Sequence, residues 1–480
     1  MLPASPSSTH TSLQPGPPWP SFAKELLATF SLASPMIAGQ VGQMLLGISD
    51  TVMIGRLGVN ELGAATLANT LVIVPFVLGI GLLSSISVRV SQAHGANRPE
   101  DARRAVRHGT WMSLVFGVLT LLSAIAIIPF LGWLNQPAEV IQLTPTFLVI
   151  IAASLIPAFI TMAWKNHADA LNHPWPPFYI MLGGVFLDIW LNWLLIWGHW
   201  GMPALGMEGA AISTLIARVL TTIGLYQWLR RSPKVNAWTP RLWWARCERA
   251  TFKSLLAIGF PASLQLLTEV GAFAACTILI GTLGAVPLAA HQVAINCAGF
   301  AFMVPLGVAM AITVRVGEIV GARQQARLHR VLAGGWFFST AFMTCSMILF
   351  FTFGREIAAL FGDNTGVQAI AARLLIVAGF FQLVDGIQVV SAFALRGVND
   401  VRLPAWIAFA AYWIVAVPLG YFLGLRCGWG AEGMWTGLAA GLGVAAVVLA
   451  YRSWLLLAPP RDASGAKVLD ESQGAPPEPA

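Results

Sequence analysis

Twelve stretches of this chain are long and apolar enough to cross a lipid bilayer, and nothing else in the sequence restricts its fold as much. A spanning helix needs about 20 apolar residues. The stretches cover 22–50, 61–88, 108–133, 145–169, 177–199 and 207–229, then 252–280, 286–314, 331–353, 367–395, 403–425 and 432–456. Charged residues make up 10% of the chain and its mean hydropathy is +0.72, against roughly 25% charged in soluble domains. So few charges cannot solvate a soluble surface of this size. The chain is read as an all-α integral membrane protein of twelve transmembrane helices, with the lipid bilayer as its partner.

The formal net charge of +7 does not point to nucleic acid, because the basic residues sit in clusters between apolar stretches. Arg89, Arg98, Arg103, Arg104 and Arg107 follow the second stretch, and Lys165 ends the fourth. Arg230, Arg231, Lys234, Arg241, Arg246, Arg249 and Lys253 fill the middle of the chain, Arg315, Arg323, Arg327 and Arg330 follow the eighth, Arg396 and Arg402 the tenth, and Arg452 and Arg461 the last. Basic loops after every even-numbered span follow the positive-inside rule and place both termini in the cytoplasm. Residues 1–21 are rich in Pro and Ser and lack Lys and Arg, unlike a signal peptide. They and residues 458–480 read as disordered cytoplasmic tails. Cys247, Cys276, Cys297, Cys345 and Cys427 form no CxxC pair and imply no disulfide framework or metal centre.

The chain also repeats itself. At an offset of 226, Thr51–Gly58 (TVMIGRLG) lies over Thr277–Gly284 (TILIGTLG), Pro35 over Pro261, Gly81 over Gly307, and Gly95-Ala96 over Gly321-Ala322. Near the end the offset becomes 224, with Glu208-Gly209 over Glu432-Gly433. This predicts two homologous six-helix lobes, 22–230 and 251–457, joined by a cytoplasmic linker over 231–250. Duplicated transporters place their substrate path near the interface between repeats, so the lobes are expected to face a central cavity.

Polar side chains inside the spans are the site candidates. An acid at mid-membrane costs about 2.5–3.5 kcal/mol to insert, which makes it a functional candidate. Asp50 closes the first stretch, Glu269 lies in the middle of the seventh and Asp385 in the middle of the tenth. Asp169 and Asp188 belong to the fourth and fifth. Gln43 and Asp50, Gln265 and Glu269, Asp188 and Asn192, and Gln292 and Asn296 fall at spacings of seven or four, and Gln388 follows Asp385 at three. Such spacings gather side chains on one helix face. An acid in an apolar setting resists ionisation, so it can exchange a proton, bind Na⁺, or hold a cationic substrate. Competition for one carboxylate then couples the ion to the substrate, and the chain carries no GxxxxGK[ST] phosphate loop.

At these residues the chain resembles the multidrug and toxic compound extrusion (MATE) family, NorM-like subgroup. The resemblance rests on ASPMIAGQVGQMLLGISDTVMIGRLG, GFPASLQLLTEVGAFA, AAHQVAIN, ITVRVGEIVG and FFQLVDGIQVVSAFALRG. It implies export of small organic cations and amphipathic drugs across the cell inner membrane against inward Na⁺ or H⁺, by a working monomer with no other cofactor. It also implies that Glu269, Asp385 and Asp50 handle the coupling ion, with Gln292 and Asn296 lining the same region. Phe381 stands where some NorM-like members carry a cation-holding tyrosine, which weakens the case for Na⁺.

Two other readings compete. A lipid-linked saccharide flippase would show basic residues inside the spans to hold a pyrophosphate. Here Arg218 and Arg373 are the exceptions, and both are assigned to helix ends or intra-bundle pairing. A membrane-embedded enzyme would need a constellation such as HExxH or GxSxG within a span, and the chain has neither.

Overall fold

The computed structural model describes residues 21–243, 245 and 248–458. Apart from Ser21 and Ala458 the expected tails lie outside these residues, as do Arg246 and Cys247. Twelve membrane-spanning helices are present among the described residues: α1 (Phe22–Gly55), α2 (Val59–Gly95), α3 (Pro99–Leu134), α4 (Ala138–Ala170), α5 (Trp175–Trp197) and α6 (Gly206–Arg231) in the first half. The second half holds α7 (Arg249–Gly281), α8 (Ala285–Gly321), α9 (Gln325–Ala359), α10 (Thr365–Gly397), α11 (Arg402–Arg426) and α12 (Gly430–Leu457). Helix is the expected outcome, since a spanning segment in lipid must satisfy its own backbone hydrogen bonds.

Several helices outrun their apolar stretches. α2 continues from 88 to Gly95 and α8 from 314 to Gly321, carrying Arg89 and Arg315 inside the helix. Cations in the last turns of a helix face the negative end of its dipole, and long basic side chains reach for the interface. α1 runs to Gly55, so Asp50 sits within the helix rather than closing it. Local signals set the other ends. The Ser21 hydroxyl accepts from Lys24 N at 3.4 Å at the start of α1, and Asn364 Oδ1 accepts from Gly366 N (3.0 Å) and Val367 N (3.2 Å) before α10.

The backbone repeats as the self-alignment anticipates. Left-handed residues recur in matching turns: Asn97 (φ 52°) and Arg323 (φ 58°), Asn172 (φ 60°) and Asn399 (φ 65°), Gly206 (φ 56°) and Gly430 (φ 62°). Pro35 and Pro261 interrupt the hydrogen bonding of α1 and α7 at equivalent places. Across the junction α1 packs on α8, and α2 packs on α7 and α8. One pair departs from the repeat. α5 is regular α-helix, whereas α11 widens into π-helical turns at Ala410–Ala416 and Phe422–Arg426.

The halves are sealed together at the end carrying the basic loops. Gln92 Nε2 on α2 donates to the Gly397 carbonyl at 2.9 Å, and Asn172 Nδ2 donates to Glu318 Oε1 on α8 at 3.1 Å. His94 Nδ1 lies 3.5 Å from Glu318, and the buried Glu25 of α1 binds Arg315 and, at 2.6 Å, Arg327. Gly95 and Gly321 hold repeat-equivalent places here. A Cβ at Gly95 would collide with the Glu318 carbonyl, and one at Gly321 with the Gln92 carbonyl.

Candidate functional site: a cavity between the halves

Away from that seal the halves diverge around a cavity of about 960 Å³. Its walls are mostly apolar, with Phe76, Phe178, Phe273, Met162 and Met303 among the lining side chains. Eight charged side chains also line it: Asp50, Asp169, Asp188, Glu269 and Asp385, with Lys165, Arg218 and Arg396.

In the first half, Asp50 of α1 meets Asp188 of α5. Asn192, one turn past Asp188, forks between them: its Nδ2 donates to Asp50 Oδ1 at 2.8 Å and to Asp188 Oδ2 at 3.2 Å. The Ser213 hydroxyl on α6 donates to Asn192 Oδ1, which fixes the amide with its nitrogen toward the carboxylates. Arg218 is the electrostatic neighbour of both acids. Its Nη1 donates to Ser154 Oγ on α4 at 2.7 Å. Nearer the seal, Lys165 Nζ and Asp169 Oδ2 of α4 form a buried pair at 2.6 Å.

In the second half, Glu269 of α7 has Asp385 of α10, Tyr412 of α11 and Arg396 of α10 as electrostatic neighbours. Arg396 is buried, and its guanidinium lies 4.2 Å from the Phe393 ring centroid, a cation–π contact. Buried polar atoms here lack hydrogen-bond partners among the described residues: Asp385 Oδ1, Gln388 Oε1, the Tyr412 hydroxyl, and Arg396 Nε and Nη2. Native proteins satisfy nearly all buried polar atoms, so this cluster has the chemistry of a site that takes up a ligand or water. Its oxygens suit a small hard cation or a proton. Among the described residues no three His, Cys, Asp or Glu side chains converge as a metal centre.

The structure brings most of the residues singled out from the sequence to this cavity. Gln43, Asp50, Asp169, Asp188, Gln265, Glu269, Asp385 and Gln388 all line it. Asn192 stands behind the wall, fully buried, and holds the two acids. Gln292 and Asn296 are not in the lining. They are exposed, and Gln292 Nε2 donates to Asn296 Oδ1 at 3.3 Å. The neighbouring His291 packs instead of lining, accepting from Trp435 Nε1 at 3.0 Å and meeting Thr277 Oγ1 at 2.8 Å.

Basic residues need the main correction. Glu269 has no basic neighbour in sequence, yet Arg396, expected in the basic loop after the tenth span, lies buried inside α10 as its electrostatic neighbour. Lys165 ends its apolar stretch, yet it lies inside α4 as the buried partner of Asp169. Arg373 does pair within the bundle, with Glu432 at 2.6 Å, whereas Arg218 lies in mid-helix and lines the cavity. Sequence reasoning also passed over Tyr412, an electrostatic neighbour of both acids from the widened turn of α11. Such π turns are frequent at functional sites. Phe381 packs its ring 5.4 Å from that of Trp435.

Comparison with known proteins gives the same architecture and the same repeat. The MatE family matches residues 35–194 and again 261–422. The multidrug resistance protein NorM of Burkholderia vietnamiensis is 34% identical over 457 residues, covering 92% of this chain and 97% of that protein. The multidrug resistance protein PmpM of Pseudomonas aeruginosa is 32% identical over 438 residues, 89% of this chain and 91% of that protein. A solved structure described as the outward-facing conformation of a multidrug resistance MATE family transporter of the MOP superfamily superposes with a TM-score of 0.83. It is 20% identical, covering 90% of this chain and 96% of that one.

Proposed function

The chain belongs to the MatE family, and from that membership we propose that it exports organic cations and amphipathic drugs in exchange for Na⁺ or H⁺. The observation that carries this reading is the cavity shared by the two halves, where carboxylates from both stand in apolar walls. Apolar walls bury the body of an amphipathic drug at ~25 cal/mol per Å², and the carboxylates supply its countercharge. Proton or Na⁺ competes for the same oxygens, so loading the ion releases the drug.

The seal at the basic-loop end is the cytoplasmic end under the positive-inside rule, so the cavity faces outward. Both termini are then cytoplasmic, and the protein sits in the cell inner membrane. Transport follows by alternating access: the Gln92, Asn172, Glu318 and Glu25 contacts break as the outer ends close. A single chain holds both halves of the path and works as a monomer. No chemical transformation is part of the cycle.

Ethidium efflux from a drug-sensitive bacterium expressing the chain tests this reading, with the Na⁺ and H⁺ gradients collapsed separately. Efflux is expected to stop with one of the two gradients. Efflux indifferent to both, and to Glu269→Gln and Asp385→Asn, refutes the antiport.

A further inference from the structure

Arg218 is a mid-helix arginine that the export cycle above does not use. It is half-buried on α6 and lines the cavity. It stands close enough to Asp50 and Asp188 to be their electrostatic neighbour, yet no ion pair within 4.0 Å joins it to either acid among the described residues. Its Nη1 is held by Ser154 Oγ at 2.7 Å, and that hydroxyl donates to the Ile151 carbonyl at 2.7 Å. The guanidinium is thus moored beside the acids rather than locked onto them. Asp188 Oδ1 lacks a hydrogen-bond partner, and Asn192 supplies donors but no charge. The other charged groups on this side of the cavity, Lys165 and Asp169, cancel each other.

We propose that Arg218 sets the charge of the substrate that the first half of the cavity accepts. In the drug-loading state, with both acids ionised, it offsets one of the two carboxylates Asp50 and Asp188, so the site presents one net negative charge and favours monocations over dications. The argument is charge matching in a low-dielectric wall. A monocation between two carboxylates and one guanidinium leaves no net charge buried, whereas a dication leaves one uncompensated positive charge, which is costly away from water. Without the guanidinium the two carboxylates match a dication. A flexible lysine keeps the charge but not the fork that grips Ser154. The inference rests on the export reading above, since it concerns the same cavity.

Ethidium and propidium separate the outcomes, because they share one phenanthridinium core and propidium carries a second positive charge on its side chain. Equilibrium binding of each dye to the purified full-length protein, followed by fluorescence at fixed ionic strength, gives an affinity ratio. Arg218→Gln is expected to move that ratio about tenfold or more toward propidium, the scale of one unit charge a few ångströms away in a partly buried setting. Arg218→Lys should keep the wild-type ratio, Asp188→Asn should move it the other way, and the double variant Arg218→Gln/Asp188→Asn should return it. A ratio unmoved by Arg218→Gln, or moved equally by Arg218→Lys, overturns the proposal. If Arg218→Gln does not fold, a ratio indifferent to Asp188→Asn overturns it instead. Failure of both dyes to bind the wild-type protein defeats the export reading. Binding of both with a fixed ratio defeats only the role of Arg218.

Discussion

Gln43 and Glu269 occupy the same place in the repeat, one in each half, and both line the cavity. Asp50 lines the cavity too, whereas its counterpart 226 residues on, Cys276, is buried outside the lining. Neither acid of one half stands where an acid stands in the other, yet once the Lys165–Asp169 pair is set aside each half ends with two carboxylates and one arginine at the cavity. The first half takes Asp50, Asp188 and Arg218 from α1, α5 and α6, and the second takes Glu269, Asp385 and Arg396 from α7 and α10. The backbones repeat while the charges are placed independently. Hydrogen bonding differs as well. Asn192 and Ser213 tie the first cluster together, whereas the second keeps several buried polar atoms without partners. The first cluster is held mostly by its own side chains, with Asp188 Oδ1 left over, and the second has more buried polar atoms without partners among the described residues.

The sharpest way to break this comparison is to neutralise each pair in turn. Glu269→Gln/Asp385→Asn should lower efflux at least ~100-fold, since each lost charge contact is worth a few kcal/mol at an effective dielectric near 20. Asp50→Asn/Asp188→Asn should weaken efflux less, because Asn192 and Ser213 keep the helices of that half in register. Equal losses in an efflux assay would erase the functional difference between the halves.

The seal probes the shared backbone rather than the charges. Gly95→Ala and Gly321→Ala each force a Cβ into a carbonyl of the opposite half, and overpacking of this kind costs about 1–3 kcal/mol. Both variants should slow efflux by about tenfold and open the end carrying the basic loops, read by labelling of cysteines placed near Asn172. A large effect from one glycine and none from the other would mean that the two halves do not close symmetrically.

A smaller effect is expected at the tyrosine of the second cluster. Tyr412→Phe removes one hydroxyl beside Glu269, a contribution of about 1 kcal/mol, so ion affinity should fall about fivefold with little change in thermal stability. Phe381→Tyr adds a hydroxyl against Trp435 and should lower Tm without creating a Na⁺ requirement. A Na⁺ requirement gained in that variant would show that the lost hydroxyl at 381, not the one at 412, governs ion choice.

Much of this protein can be read from its sequence. The twelve spans, the repeat and the acids at mid-span all depend on local runs of residue type, which survive into the fold because lipid leaves no alternative to helix. Helix ends were harder, as at α2 and α8, since basic residues near the interface belong to the helix while looking like loop. Gln292 and Asn296 share a helix face with lining residues but lie at an exposed position, because periodicity gives the face and not the depth along it. Which charges meet was decided only by the tertiary structure. Arg396 lies eleven residues past Asp385 in sequence yet neighbours Glu269 on another helix, and Arg218 comes to acids of α1 and α5. Coulomb interactions act through space, and the rotation and tilt that bring two distant helices together are set by packing along their whole length.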